Sequence, residues 1–71
     1  MYRAFLETDH YTFEAYGLSE KEAKRVLIEG CKKHCKEVDF SYSEFKSNYP
    51  NDDISVAEIK IGTAYRDYQE I

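Results

Sequence analysis

Hydrophobic and polar residues alternate in two stretches near the start of the chain, residues 2–8 and 11–16. Successive side chains of a β-strand point to opposite faces, so this period of two predicts two strands that each bury one face. The residues on that face are Tyr2, Ala4 and Leu6 in the first stretch and Tyr11, Phe13 and Ala15 in the second. The polar residues between the stretches favour a turn. The pattern therefore predicts a β-hairpin over residues 2–16.

A helical period replaces the alternation after Ser19. Ser19 stands three residues before Glu22, which is the spacing of a capping box, where each side chain accepts a hydrogen bond from the other residue's backbone N–H. The apolar positions that follow recur at steps of three and four: Ala23, Val26, Leu27, Cys31, His34 and Val38. This spacing predicts one helix with a single buried face. Gly30 lies on the same stripe, and because a mid-helix glycine costs about 1 kcal/mol, we expect a bulky ring of the sheet to approach the helix backbone there.

The pattern is less regular over residues 39–50. Ser41 and Glu44 have the spacing of a helix cap, and the rings that follow recur at helical steps: Tyr42, Phe45 and Tyr49. A short helix is therefore favoured, and an edge strand over residues 38–42 is the alternative. Pro50 and the asparagine and aspartate residues around it then predict a turn.

Residues 54–61 are rich in β-branched side chains and predict a strand. The positions expected to face the core are Ala57, Ile59 and Ile61. Ile54 and Val56 have the opposite parity, so we expect a bulge near Val56 that reconciles the two sets. The remaining residues, 63–71, form either a last short strand or an ordered tail.

These elements predict a single α+β domain over residues 1–71, with two layers. An antiparallel sheet of three or four strands, beginning with the N-terminal hairpin, packs on one main α-helix in the order β-β-α-(short helix or edge strand)-β. A chain of 71 residues, 42% of them hydrophobic, has enough apolar material for one core. It is too short to enclose a deep pocket on all sides, so binding through a surface is favoured over catalysis.

Charge and targeting signals narrow the function classes further. Fourteen acidic and ten basic residues give a net charge of −4, which argues against general nucleic-acid binding. The opening residues have neither the charged nor the apolar region of a signal peptide, and no apolar run reaches the roughly 18 residues of a membrane span. We therefore expect no membrane association and a cytoplasmic protein with two free thiols.

The sequence CKKHC at residues 31–35 is the candidate for metal or nucleophilic chemistry. On a helix, Cys31, His34 and Cys35 reach one point, but a zinc site of this type needs a fourth ligand, and the apolar stripe already accounts for Cys31 and His34. A thiol on the same helix as a histidine is also poorly placed for deprotonation by it. We therefore predict packing, no metal ligands, no cofactor and no enzymatic activity.

The remaining polar and aromatic residues predict a non-enzymatic protein that binds a protein partner by masking a basic surface. Complementary charge would set the rate and specificity of association, and burial of tyrosine rings would supply most of the affinity. The predicted partner-binding residues are Tyr42, Glu44, Tyr49, Asp52, Asp53, Glu58, Tyr65, Arg66 and Tyr68. The last three belong to the sequence YRDY, in which an arginine beside aromatic rings can stack on a planar group.

A small, acidic, tyrosine-rich profile of this kind is similar to that of many phage or mobile-element proteins that act by occupying a host surface, including inhibitors of bacterial defence. The resemblance rests on composition and covers no motif. Two alternatives stay open. One is an oligomeric binder or sponge, a homodimer for example, that holds a nucleotide between subunits with Arg3, Arg66 and tyrosines. The other is a domain stabilised by a metal.

Overall fold

The two alternating stretches form the expected β-hairpin in the computed structural model, which describes residues 1–67 and 69–71. Strand β1 spans Tyr2–Glu7 and strand β2 spans Thr12–Gly17, and they pair in antiparallel register. Strand β3, Ser55–Glu58, pairs antiparallel with the other edge of β1, so the sheet order is β2-β1-β3. The earliest strand in the chain is therefore the central one.

Helix α1, Glu20–Glu37, lies across one face of this sheet and gives the predicted α+β architecture. Its N-cap is Ser19, whose hydroxyl accepts a hydrogen bond from the Glu22 amide at 3.1 Å. The reciprocal bond of the cap differs from the predicted one, because the Glu22 carboxylate accepts from the Leu18 amide at 2.9 Å. Leu18 directly follows the last residue of β2, so this bond ties the end of the strand to the start of the helix.

The buried face of α1 is turned from the predicted one. Its buried residues recur at steps of four: Ala23, Leu27, Cys31 and Cys35. Val26 and Val38 are exposed, and His34 is half-buried. Gly30 is exposed too, and a Cβ built on it would have nothing within 4 Å, so the expected close approach of a ring is wrong. With 3.6 residues per turn, Gly30 lies roughly a quarter-turn away from the centre of the buried stripe.

The segment after α1 takes the favoured short helix rather than the edge strand. Helix α2 spans Tyr42–Asn48, and its N-cap Ser41 accepts a hydrogen bond from the Glu44 amide at 3.4 Å. A 3-10 turn at Asn51–Asp53 follows Pro50 and leads into β3. The chain between α1 and β3 is thus helical and turn-like, as the cap and the proline indicated.

The inward face of β3 is the reverse of the predicted one. Val56 pairs opposite the fully buried Ala4 and is half-buried, and the pairing with β1 runs without a bulge. Ala57 pairs opposite Arg3 and therefore lies on the outer face of the sheet. Ile54 is buried, whereas Ile61 is 89% exposed. The register of β3 against β1 determines which of its residues face the core. The sequence of β3 alone does not specify that register.

The C-terminal residues form a second, two-stranded antiparallel sheet of β4, Tyr65–Arg66, and β5, Gln69–Glu70. The Tyr65 ring lies over the Arg3 guanidinium on the outer face of the main sheet, 5.8 Å from its central carbon. The Tyr65 hydroxyl also accepts a hydrogen bond from the Lys60 amide at 2.9 Å. Arg3 is consequently buried, at 8% exposure, between the rings of Phe5 and Tyr65.

Two glycine substitutions test this packing in opposite directions. Gly30→Ala should raise the free energy of unfolding by about 1 kcal/mol, because the site is open and alanine favours a helix. Gly17→Ala should lower it, because the new Cβ would lie 2.6 Å from the backbone nitrogen of Ala23. Urea denaturation of the two variants beside the wild type measures both changes. If Gly30→Ala instead destabilised the protein, another group would have to lie close to the helix backbone at Gly30, which would contradict the structure.

Candidate functional site

Helix α2 is held against the rest of the protein by the ring of Phe45, which is 8% exposed. The Phe45 ring meets the Phe13 ring of β2 edge-to-face, with centroids 5.9 Å apart. On its other sides it contacts Tyr49 at 5.4 Å and Tyr42 at 6.2 Å between centroids. Edge-to-face and offset ring pairs are each worth about 0.5–1.5 kcal/mol beyond their burial. An aromatic cluster therefore fixes α2 at the end of the sheet where the β1–β2 turn lies.

Tyr49, at the C-terminal end of α2, joins this cluster to the β1–β2 turn. Its backbone N–H donates to the Phe45 carbonyl at 2.8 Å. Its hydroxyl accepts a hydrogen bond from the Asp9 amide at 3.2 Å. The Tyr49 side chain thus spans from α2 to the turn, and a groove opens on each side of it.

The first groove, which we call the acidic groove, has a volume of about 430 Å³. Two carboxylates line it, Glu7 at the end of β1 and Asp53 at the end of the 3-10 turn. Among residues 1–67 and 69–71, no lysine or arginine lines it. The remaining lining residues are Phe5, Leu6, Asn48, Tyr49 and Ser55. The site therefore combines negative charge with aromatic surface.

The second groove, which we call the aromatic groove, has a volume of about 290 Å³. His34 forms part of it and contacts the rings of Tyr11 and Phe13 edge-on, at centroid distances of 4.6 and 5.0 Å. Its lining residues are Thr8, His10, Tyr11, His34, Val38, Phe40, Phe45, Asn48 and Tyr49. Three of its large hydrophobic residues are exposed to solvent, Tyr11 at 52%, Val38 at 50% and Phe40 at 43%.

The fold brings together some of the predicted partner-binding residues and separates others. Those on the α2 and 3-10 segment lie at one end of the domain: Tyr42, Glu44, Tyr49, Asp52 and Asp53. Tyr42 is half-buried with the Lys32 ammonium 5.4 Å from its ring centroid, and Glu44, Asp52 and Asp53 are exposed. Of this set, Tyr49 and Asp53 line the acidic groove.

Glu58, Tyr65 and Arg66 belong to a different part of the surface. Strand β3 runs from Ser55, opposite Phe5, to Glu58, opposite Tyr2, which carries Glu58 about 10 Å along the sheet. The negative charge of Glu58 and its hydrogen bond to the phenol raise the pKa of Tyr2. Tyr65 covers Arg3, and Arg66 is exposed beside it in β4. Tyr68 lies outside the described residues.

The groove-lining residues Glu7, His10 and Tyr11 were not among the predicted partner-binding residues. They come from the β1–β2 hairpin, far in sequence from α2 and the 3-10 turn, and they meet those elements only because β3 pairs with β1 and Phe45 packs on Phe13. In the sequence, the one signal for this site was Glu7, a charged residue at the end of a predicted strand.

The two cysteines are core residues with the properties of neutral thiols. Both are free and buried, Cys31 at 3% and Cys35 at 2% exposure. Burial raises the pKa of Cys31 to about 11, with a smaller contribution from Cys35, and burial also raises the pKa of Cys35. The pKa of the neighbouring Tyr42 is raised by its own burial and by these thiols. A thiol that stays protonated is a weak nucleophile and metal ligand.

The described residues contain no group of three or more histidine, cysteine, aspartate or glutamate side chains placed to hold a metal ion. His34, the third member of the CKKHC candidate, faces the rings of Tyr11 and Phe13. Nor does any helix in the described part of the chain have the length and apolar character needed to cross a membrane.

Comparison with protein-family models found no match. Searches of curated proteins and of solved structures found none either.

The raised thiol pKa values make stability depend on alkaline pH. When the pKa of a thiol is higher in the folded state than in the unfolded state, the unfolded state loses the proton first as the pH rises. Deprotonation then favours unfolding, so the contribution of the thiol to stability is complete below the unfolded-state pKa and is lost as the pH rises to the folded-state pKa. For Cys31 this interval runs from 9.0 to about 11. We expect the free energy of unfolding to fall as the pH rises through this interval, measured by urea denaturation. Cys31→Ala should flatten the dependence, and a wild-type value that stays constant would contradict the buried thiol.

Proposed function

We propose that this protein is a non-enzymatic binding protein that masks a basic surface of a protein partner. The observation that carries the proposal is the acidic groove, in which the carboxylates of Glu7 and Asp53 lie beside aromatic surface. A lysine or arginine side chain of the partner matches both properties. Its charge would meet the two carboxylates, and its cationic head would lie against the ring of Tyr49.

The size of these interactions limits what the groove achieves alone. A solvent-exposed ion pair contributes about 0.2–1 kcal/mol, and an exposed cation–π contact about 0.5–1 kcal/mol. A millimolar complex already requires about 4 kcal/mol. The acidic groove is therefore suited to selecting a cationic residue within a larger contact, and a stable interface needs roughly 1,000 Å² or more of buried surface.

The charge around the groove favours the approach of such a partner. The net charge is −4, and Glu44, Asp52 and Asp53 are exposed on the same α2 and 3-10 segment. An acidic surface attracts a basic one over a distance of about one Debye length, roughly 8 Å at physiological salt. Lys46, also on α2, carries a positive charge that partly offsets these acidic residues. Charge should therefore influence mainly the association rate.

A basic surface that normally contacts nucleic acid would be a suitable target, and occupying it is how an inhibitor from a phage or mobile element could block a host system such as bacterial defence. The two free thiols support the further proposal that the partner is met in the cytoplasm. The nucleotide-binding alternative is less well supported, because Arg3 is packed between the rings of Phe5 and Tyr65 rather than presented at a surface.

A titration with a defined cationic probe tests the proposal. The isotope-labelled protein is titrated with blocked hexalysine, and amide and side-chain NMR signals are followed. We expect the largest shifts at Glu7, Tyr49 and Asp53, because these residues line the acidic groove. Asp53→Asn should weaken binding about threefold. Hexaglutamine, which has a similar length and no charge, should give no such shifts.

Glu29→Gln is the matched control, because it removes one negative charge from the exposed surface of α1, where Glu29 pairs with Arg25. It should leave hexalysine affinity within about 1.5-fold of the wild type. Equal losses in Asp53→Asn and Glu29→Gln would mean that hexalysine responds to net charge alone, and the proposal would then fail. Once a partner is captured from the native host, alanine at Asp52 and Asp53 should slow its association and flatten the dependence on salt.

A further inference from the structure

We propose that the aromatic groove receives an apolar side chain, of phenylalanine or leucine type, from the same partner segment that places a lysine or arginine in the acidic groove. This inference rests on the proposed function and specifies the chemistry of the partner. It assigns the two grooves to two neighbouring residues of one extended peptide segment.

The aromatic groove has the composition of a site for a single apolar side chain. Buried Phe45 and half-buried His34 form its inner surface, and Tyr11, Val38 and Phe40 stand exposed around it. Its volume of about 290 Å³ lies at the lower limit of small-molecule pockets, which span roughly 300–1,000 Å³. One side chain suits this space better than a nucleotide does. A few side chains seated in well-packed, desolvated pockets usually supply most of an interface's binding energy.

The position of the groove specifies what lies next to the apolar residue. Asn48 and Tyr49 line both grooves, so the grooves are neighbours. In an extended segment, residues two apart point to the same side and lie roughly 6.6–6.8 Å from each other. A segment with an apolar residue two positions from a cationic one can therefore fill both grooves. The exposed Asn48 amide between them offers a donor and an acceptor to the segment's backbone.

Charge complementarity favours a foreign partner over a second copy of this chain. Each copy carries a net charge of −4, so two copies repel one another as they approach. A partner with a basic surface is attracted to the same end of the molecule. The occupant we infer is therefore a segment of a basic protein partner.

The test uses four blocked pentapeptides that separate the two anchors: Gly-Phe-Ser-Lys-Gly, Gly-Ala-Ser-Lys-Gly, Gly-Phe-Ser-Gln-Gly and Gly-Ala-Ser-Gln-Gly. Each is titrated into the isotope-labelled protein and followed by NMR, and the set is repeated with the two anchors exchanged in order. We expect the peptide with both anchors to bind about tenfold more tightly than its alanine counterpart. Shifts at His34, Val38 and Phe45 should require phenylalanine, and shifts at Glu7 and Asp53 should require lysine.

Two valine variants confirm the location. Val38→Asp places a charge at the aromatic groove and should abolish the gain from phenylalanine while leaving the lysine-dependent shifts. Val38 is 50% exposed, so the fold should tolerate the change. Val26→Asp makes the same substitution at an exposed position within α1, outside both grooves, and should keep the gain.

The outcomes distinguish this inference from the proposed function. If lysine shifts the acidic groove but phenylalanine adds no affinity and no shifts in the aromatic groove, the inference is overturned and the proposed function stands. If lysine has no effect on the acidic groove, both are overturned. If dilution of the protein without peptide shifts the aromatic-groove signals, a second copy occupies the groove, and the inferred foreign segment is overturned.

Discussion

The contact between Phe45 and Phe13 positions helix α2, whose last residue, Asn48, lines both grooves. Helix α2 has seven residues, about half the length at which an isolated helix becomes even marginally stable in water. Its position must therefore come from packing, and Phe45 is its buried residue. Truncating a buried phenylalanine typically costs about 3–5 kcal/mol, a large share of the roughly 5–15 kcal/mol that stabilises a small domain. Without this ring, Tyr49, which lines both grooves, would lose one of its supporting contacts, and the aromatic groove would lose its buried wall.

The composition of the core explains why most of the larger rings lie around its edge. Between α1 and the sheet the core contains three alanines, at positions 4, 15 and 23, beside Leu6, Leu27 and the two cysteines. These mostly small residues let the helix lie close to the sheet. The larger rings pack around that core and stay partly exposed, because a domain of this size buries only about 60% of the surface of its unfolded chain. The grooves are a consequence of this limited interior.

Elements defined by local signals could be predicted from the sequence, because alternation, a serine cap and a proline each act within a few residues. The hairpin, α1 with its Ser19 cap and α2 with its Ser41 cap are of this kind. The face of β3 could not be predicted, because it depends on register against β1. The predicted close approach of a ring at Gly30 was wrong for a related reason, because the way the helix crosses the sheet determines which residues of α1 are buried.

The same distinction applies to the candidate site. Tyr49 and Asp53 were predicted because they are a tyrosine and an acidic residue in one short segment, whereas Glu7 joins them only through the fold. Glu58 was grouped with them by charge, but the direction of β3 carries it to the opposite end of β1. Pairing between distant segments decides which charges become neighbours, and a single sequence does not record it.

Nuclear Overhauser spectroscopy of the isotope-labelled protein tests the placement of α2 most directly. With the ring centroids of Phe45 and Phe13 5.9 Å apart and nearly perpendicular, at 87°, cross-peaks between the protons of these two rings should be strong. The Phe45 ring should also show cross-peaks to Tyr49. Absence of the Phe45 to Phe13 cross-peaks, together with Phe45 ring shifts equal to those of an unfolded peptide, would contradict the account.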